Sequence, residues 1–171
     1  MNIKLLTGAL LIFTSSLSYG QDIFEASRKG NLEAIKKMKQ INSDTLNAVN
    51  NSGYTPLIIA GYRNQMEVVK YLLESGVEVN KNAGEGTALM GACYKGNIEL
   101  VKLLVKYKAD VNAVNEKGTT ALMFAILVQN EELVKLLLDN GASKEARETS
   151  GKTVRDYAKK GENINIQTLL K

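Results

Sequence analysis

Paired carboxylates are the most conspicuous groups in this sequence that could do chemistry. Glu131 and Glu132 are adjacent, and Glu25 is followed closely by Glu33. Two carboxylates can divide acid and base roles between them when their surroundings separate their pKa values. Both pairs, however, lie where helices are expected to begin, and acidic side chains are favoured there by the positive end of the helix. We therefore interpret them as helix-start residues.

The other groups that catalysis usually needs are missing or have a simpler explanation. The sequence has no histidine, so it offers no imidazole base, no Ser–His pair and no typical zinc site. Gly84-x-Gly86 and Gly151-Lys152-Thr153 resemble fragments of phosphate-binding loops but lack the strand-to-helix context of such loops. We predict that the protein is not an enzyme and uses no metal and no cofactor. An enzyme remains the alternative, and strongly shifted carboxylates in one pocket would favour it.

Cys93 is the only cysteine of the chain, so no intramolecular disulfide can form. In the repeat described below, its position corresponds to Ser27, Gly61 and Ile126 on the inner part of a helix. A free cysteine at such a position is usually a small buried residue. The alternative is a reactive thiol, or one that links the protein to a partner.

The first twenty residues have the pattern of a cleavable export signal. Lys4 is followed by a short apolar run from Leu5 to Phe13, and small residues precede Gln21. We predict that a signal peptide, residues 1–20, is removed and that residues 21–171 form the mature domain, in the periplasm or outside the cell. The apolar run is about half the length that spans a bilayer, so an uncleaved membrane anchor is the weaker interpretation.

Four threonine-led segments recur along the chain at steps of 32 or 33 residues, starting at Thr55, Thr87, Thr120 and Thr153. A period of this length is typical of a solenoid, in which each unit buries its apolar face only against its neighbours. Threonine suits the start of a helix because its side-chain oxygen accepts a hydrogen bond from an unpaired amide of the first turn.

Each unit is expected to contain two helices, and the second helices are predicted at Met66–Ser75, Ile98–Tyr107 and Glu131–Asn140. Their apolar residues recur at i, i+1, i+4 and i+5, which makes a broad buried stripe. Gly76 and Gly141 are expected to end two of these helices in the left-handed conformation. Lys108 holds the equivalent place in the middle unit, and we expect that helix end to be frayed or closed differently.

The Thr-Pro-Leu-x-x-Ala opening at Thr55, the Gly-Asn-x-Glu-x-Val-Lys-Leu-Leu core from Gly96 and the Val-Asn ending at Val111 resemble the ankyrin repeat. The resemblance implies an all-α solenoid of helix-turn-helix units with β-hairpin-like arms, about three full repeats between two degenerate caps. The unit boundaries that it implies are 21–54, 55–86, 87–119, 120–152 and 153–171. The histidine usual in the family is absent from every unit, which puts hydrogen bonding between repeats in doubt.

In ankyrin-like stacks the arms and the exposed ends of the first helices form a concave binding face. Carried onto this sequence, the positions seven and eight residues after each threonine should form a row, with Lys160 at its last step. We predict that a partner protein contacts these helix positions, the end of the first cap and the arm tips. The predicted contact residues are Arg28, Lys29, Asn51, Ser52, Tyr54, Tyr62, Arg63, Tyr94, Lys95, Glu116, Lys117, Thr119, Leu127 and Val128.

The sequence therefore predicts a non-enzymatic protein-binding module whose partner has an acidic and partly apolar surface. The formal charge of +4 is small and spread out, which argues against nucleic-acid binding. No membrane insertion is expected after signal cleavage, and the protein is expected to be a monomer on its own. Binding could inhibit, protect or scaffold the partner, and the alternative is a secreted effector that binds a host protein.

Overall fold

The computed structural model describes residues 23–82, 84–161 and 163–171. The predicted signal peptide, residues 1–20, lies outside the described residues. The chain divides into two compact units, with the boundary between Val77 and Glu78. Each unit is built from short helices joined by turns, so the all-α repeat architecture expected from the sequence is confirmed.

The first unit contains two helix pairs that are joined by a single turn of 3-10 helix, Ser43–Asn47. Its α-helices are α1 (residues 23–29), α2 (Leu32–Ile41), α3 (Pro56–Tyr62) and α4 (Met66–Glu74). Helix α4 turns its apolar stripe inward, and the side chains of Val68, Val69, Leu72 and Leu73 are all buried.

The second unit continues the alternation of a seven-residue first helix and a second helix, which is longer than the first except in the last repeat. Its helices are α5 (Ala88–Tyr94), α6 (Ile98–Lys106), α7 (Ala121–Leu127), α8 (Glu131–Asp139), α9 (Val154–Lys160) and α10 (Ile164–Leu169). Helix α7 packs against both α5 and α9, so the first helices of consecutive repeats are neighbours. The second helices α4, α6 and α8 each end one residue before the predicted position.

The helix starts follow the predicted capping. Thr55, Thr87 and Thr120 are nearly buried, and each hydroxyl accepts a hydrogen bond from the backbone amide three residues later, at 3.2–3.4 Å. Asn97 and Asn130 accept in the same way from Leu100 and Leu133, both at 3.0 Å. The recurring threonine and asparagine therefore each satisfy an unpaired amide of the helix that they start. Helix α4 is different, because Gln65 at its start forms no capping hydrogen bond with its side chain.

The expectation for Lys108 was wrong. Helix α6 ends at Lys106, and Lys108 itself takes the left-handed conformation with φ of 65°. Gly76 and Gly141 stand at the equivalent places with φ of 77° and 86°. The middle repeat therefore closes as its neighbours do, and the lysine carries the steric strain that glycine avoids.

The arms are hairpin-like turns, and among the described residues they contain one isolated antiparallel bridge, Arg147 with Thr153, and no continuous strand. Asn115 builds one turn, because its side-chain oxygen accepts from the amides of Lys117 and Thr119 at 3.0 and 2.9 Å. In the arm between Gly76 and Thr87, which is one residue shorter, Asn82 donates its side-chain amide to the carbonyl of Val114 at 2.7 Å.

Asparagine side chains join consecutive repeats of the second unit, although the family's histidine is absent. Asn80 donates to the carbonyl of Lys108 at 3.3 Å and accepts from the amide of Asp110 at 2.7 Å. Asn112 repeats this arrangement one repeat later, with the carbonyl of Gly141 at 2.9 Å and the amide of Ser143 at 2.8 Å. Hydrogen bonding between repeats of the second unit therefore comes from the asparagines of the Val-Asn endings, a role that the sequence did not indicate.

Candidate protein-interaction surface

The second unit exposes large apolar side chains at the carboxyl ends of consecutive first helices. Tyr94 is the last residue of α5 and Leu127 the last of α7, and their exposed fractions are 51% and 50%. Lys95 follows Tyr94 and is exposed, whereas Val128 follows Leu127 and is half-buried. We call the patch formed by Tyr94, Lys95, Leu127 and Val128 the helix-end face.

An aromatic contact sets the position of Tyr94 on this face. Its ring lies edge-on to the ring of Phe124 in the next repeat, with 5.9 Å between the ring centroids and an interplanar angle of 81°. Edge-to-face packing of this kind restrains a tyrosine that is half exposed. Phe124 is half-buried, and it was missed in the sequence because it does not stand at one of the two exposed positions of the repeat.

The equivalent positions of the first unit are also at the surface. Tyr62 is the last residue of α3 and is 49% exposed, and Arg63 beside it is exposed. The charges of the predicted cap residues Arg28 and Lys29 are partly neutralised, because both side chains form ion pairs with Glu25, Lys29 at 3.1 Å. These hydrogen bonds lower the pKa of Glu25 below its ordinary value.

The arm tips agree with the predicted exposure except at one residue. Asn51, Ser52, Glu116 and Lys117 are exposed, and Tyr54 is half-buried.

Thr119 is the exception, and its placement at the surface was wrong. It is only 5% exposed, and its hydroxyl donates to Oε1 of Glu148 at 2.6 Å. A side chain placed in this way joins two arms and presents no contact area to a partner.

Glu148 is the centre of a polar cluster that the sequence did not reveal. Its carboxylate accepts from Thr119, from the hydroxyl of Tyr157 at 2.8 Å and from that of Ser150 at 3.2 Å. The ammonium of Lys152 lies 4.1 Å from the centroid of the Tyr157 ring. The hydrogen bond from Thr119 lowers the pKa of Glu148, and burial together with Glu148 raises the pKa of Tyr157 to about 12.

A second carboxylate cluster explains why Glu131 stands at a position that is apolar in the two preceding repeats. The Glu131 carboxylate accepts from the side-chain amides of Asn163 at 3.0 Å and of Asn165, which contacts both carboxylate oxygens at 3.1 Å. These asparagines belong to the last repeat. Glu131, at the start of α8, thus binds the C-terminal cap. The carboxylate that replaces an apolar side chain at this position is paired with the polar side chains of Asn163 and Asn165.

Neither the cysteine nor the acidic side chains of the described residues form a reactive or metal-binding site. Cys93 is fully buried, and burial raises the pKa of its thiol to about 12, so it is not a nucleophile at neutral pH. The predicted burial of Cys93 is confirmed. Within residues 23–82, 84–161 and 163–171, no three acidic or cysteine side chains come together in a way that could hold a metal ion.

The repeat pattern places the chain among known proteins. The sequence profile of the family described as "Ankyrin repeats (3 copies)" matches residues 23–83 and 80–148. The chain belongs to the ankyrin-repeat family. Ankyrin repeats are protein–protein interaction modules.

Similar proteins from several eukaryotes share these repeats. Ankyrin repeat and SAM domain-containing protein 6 of Rattus norvegicus is 38% identical over 109 residues, which is 63% of this chain and 12% of that protein. Probable E3 ubiquitin-protein ligase XBOS32 of rice is 35% identical over 63% of this chain and 22% of its own length. BCL-6 corepressor-like protein 1 of Homo sapiens is 34% identical over 58% and 6% respectively.

The chain thus matches only a small part of each of these longer proteins. One of them is named as a probable ligase, and the palmitoyltransferase akr1 of Emericella nidulans, 34% identical over 43% of this chain, also has an enzyme's name, although only 10% of it is matched. The shared segment is the repeat itself, so the similarity supports a binding module and transfers no activity.

None of the described helices is both long and apolar enough to cross a bilayer.

Proposed function

We propose that this protein is a non-enzymatic binding module that recognises another protein through the ends of its first helices and its arm tips. In the second unit the contact surface is the helix-end face together with Glu116 and Lys117. In the first unit it is Tyr62, Arg63 and the exposed arm residues Asn51 and Ser52. The partner presents an acidic and partly apolar surface.

The observation that carries the proposal is the half exposure of Tyr94 and Leu127 on neighbouring helices. Large apolar side chains that remain exposed side by side are characteristic of interaction sites. Tyrosine and arginine, which stand together at Tyr62 and Arg63, are also enriched at interface centres, because they combine a large contact area with polar groups. A rigid stack offers these groups without first having to order them, so little conformational entropy opposes binding.

We propose further that the module acts in the periplasm or outside the cell, after removal of residues 1–20. The support is the sequence pattern, a lysine followed by a short apolar run and small residues before Gln21. Fractionation of the source cells followed by N-terminal sequencing tests this. A chain that begins at Gln21 in the envelope or medium is expected, and a cytosolic chain that retains Met1 would contradict export.

Charge reversal tests the binding surface. The variants Arg63→Glu and Lys95→Glu, made singly and together, are used as bait in affinity capture from the native fraction. We expect the double variant to lose the partner that the parent protein captures, because each change places a negative charge against an acidic surface. Thermal unfolding should stay within a few degrees of the parent, since exposed side chains contribute little to stability.

Lys37→Glu and Lys106→Glu are the matched controls, because both lysines are exposed on second helices rather than at the ends of first helices. They should capture the partner as well as the parent does. Undiminished capture by the Arg63→Glu, Lys95→Glu double variant would rule out these helix ends as the contact surface.

A secreted effector that binds a host protein is the second candidate. It uses the same surface, and it differs only in where the partner is found. Recovery of the protein from the culture medium rather than from the envelope would favour it.

A further inference from the structure

The helix-end face of the second unit continues to a cation on its C-terminal side. Lys160 is the last residue of α9, stands in the repeat where Tyr94 and Leu127 stand, and is exposed. Helix α7 lies between α5 and α9. The order along the three helix ends is therefore Tyr94 with Lys95, then Leu127 with Val128, then Lys160.

The chemistry alternates along this order, because the apolar pair Leu127-Val128 stands between the two cationic positions Lys95 and Lys160. No acidic side chain occupies any of the equivalent positions along the chain: they are Tyr62-Arg63, Tyr94-Lys95, Leu127-Val128 and Lys160-Gly161. Glu99 and Glu132 of the second unit lie instead in the first turns of the second helices α6 and α8. A polypeptide segment that lies across the three helix ends would thus contact the cation of Lys95, then the apolar side chains of Leu127 and Val128, then the cation of Lys160.

We propose that the partner of this face is a short polypeptide segment in which one large apolar side chain stands between two acidic side chains. The apolar side chain packs on Leu127 and Val128 and against the ring of Tyr94. The acidic side chains approach Lys95 on one side and Lys160 on the other. This inference rests on the proposed function and adds the chemistry and the spacing of the segment that is bound.

The spacing follows from helix packing. Neighbouring packed helices lie roughly 8–10 Å apart. Because α7 lies between α5 and α9, the positions of Lys95 and Lys160 at the ends of α5 and α9 are about 16–20 Å apart. An extended segment advances about 3.3 Å per residue, which separates the two acidic residues by roughly five or six positions. The apolar residue lies near the middle of that interval.

The experiment is selection of random peptides displayed on phage against the full immobilised protein, followed by affinity measurement with synthetic versions of the enriched peptides. Enriched sequences should carry an aliphatic or aromatic residue with Asp or Glu two to four positions away on both sides. Leu127→Lys should weaken their binding by at least about tenfold, because it replaces an apolar contact by an unfavourable charge–apolar one.

Ile164→Lys is the matched control. Ile164 is 75% exposed and lies in the same unit, but on the second helix α10 rather than at the end of a first helix. Binding of the enriched peptides to this variant should stay within about twofold of the parent. Lys160→Glu should weaken peptides that carry both acidic residues more than truncated peptides that lack the acidic residue on the Lys160 side.

The outcomes separate this inference from the proposed function. Enriched peptides without flanking acidic residues, whose binding is still lost in Leu127→Lys, would overturn the inference and leave the helix-end face as a binding surface. Peptides that bind Leu127→Lys and Lys95→Glu as well as the parent would overturn both. A selection that enriches no peptide would overturn the inference, while the capture experiment would still decide the proposed function.

Discussion

Glu131 shows how a single residue can end a repeating pattern. It occupies a position held by Met66 and Ile98 in earlier repeats, and its carboxylate is bound by the amides of Asn163 and Asn165. A carboxylate that accepts several hydrogen bonds is stabilising even near the surface, because bonds to a charged group are stronger than neutral ones. The last repeat is thus attached partly by polar contacts.

Removal of this contact should loosen the cap. We expect Glu131→Ala to lower the free energy of unfolding by about 1 kcal/mol, less than the roughly 1.5–3 kcal/mol typical of hydrogen bonds to charged groups, since Glu131 is exposed. Urea denaturation of Glu131→Ala, Asn165→Ala and the double variant gives the coupling directly. Glu132→Ala is the control, because its exposed ion pair with Lys102 should contribute less than about 1 kcal/mol. Strict additivity of the two single changes would mean that Glu131 and Asn165 do not interact.

Glu148 makes stability depend on pH. Its pKa in the folded protein lies below the ordinary value of 4.5, chiefly because Thr119 donates a hydrogen bond to its charged form. The folded state therefore binds this proton less readily than the unfolded chain does. The stabilisation is fully present above pH 4.5 and is lost as the pH falls through the lowered pKa.

We expect Glu148→Gln to be less stable than the parent at neutral pH and to differ from it less as the pH falls below 4.5, since the parent's carboxylate takes up its proton as the pH falls through its lowered pKa. Urea unfolding midpoints of both proteins across this pH range measure the change. Glu145→Gln serves as the control, because Glu145 is exposed and pairs only with Arg155 among the described residues. A constant gap between parent and Glu148→Gln at all pH values would contradict the role of charge.

The same left-handed backbone conformation follows the second helices of consecutive repeats, although different residues occupy it. The second helices α4 and α8 are followed by glycine in the left-handed conformation, and α6 by Lys108 in the same conformation. A side chain costs roughly 1–2 kcal/mol there because its Cβ approaches the following carbonyl. The repeat fixes the backbone, and the residue at this position determines only how much strain the helix end carries.

Exchange of these residues should change stability in opposite directions. Lys108→Gly should raise the free energy of unfolding by about 0.5–1 kcal/mol, since the relief of strain exceeds the added freedom of glycine in the unfolded chain. Gly141→Ala should lower it by about 1 kcal/mol, although nothing lies within 4 Å of the added Cβ. Chemical denaturation measures both. Destabilisation by Lys108→Gly would show that the lysine side chain contributes contacts that outweigh its strain.

At the scale of the whole molecule, stability comes from packing and hydrogen bonds without any covalent cross-link. Cys93 is the only cysteine in the sequence and is fully buried in α5. Since burial raises the pKa of its thiol to about 12, the thiolate needed for oxidation or alkylation is scarce. The fold is therefore suited to survive an oxidising compartment unchanged.

We expect the thermal unfolding midpoint to be the same with and without dithiothreitol, and the alkylation of Cys93 by iodoacetamide to follow the rate of unfolding. Ser52→Cys in a Cys93→Ala background is the matched control, because residue 52 is exposed on an arm and should be alkylated at once. Rapid alkylation of Cys93 in the native protein would instead point to a reactive thiol.

The repeat could be predicted from the sequence alone, because the residues that cap and fill each helix pair act locally. Thr87 and Asn97 bind amides three residues away, and glycines close the helices they follow, so their spacing along the chain is sufficient to place them. The burial of Cys93 followed from the same register.

Which polar side chains are accessible to a partner protein depends instead on how the repeats stack. Thr119 stands at an arm tip in the sequence, yet it is buried. Its hydroxyl donates a hydrogen bond to the carboxylate of Glu148 from the next arm. Asn112 and Glu131 likewise bind groups about one repeat further along the chain. Such contacts depend on the stacking of one repeat on the next, which the residues within a single repeat do not specify.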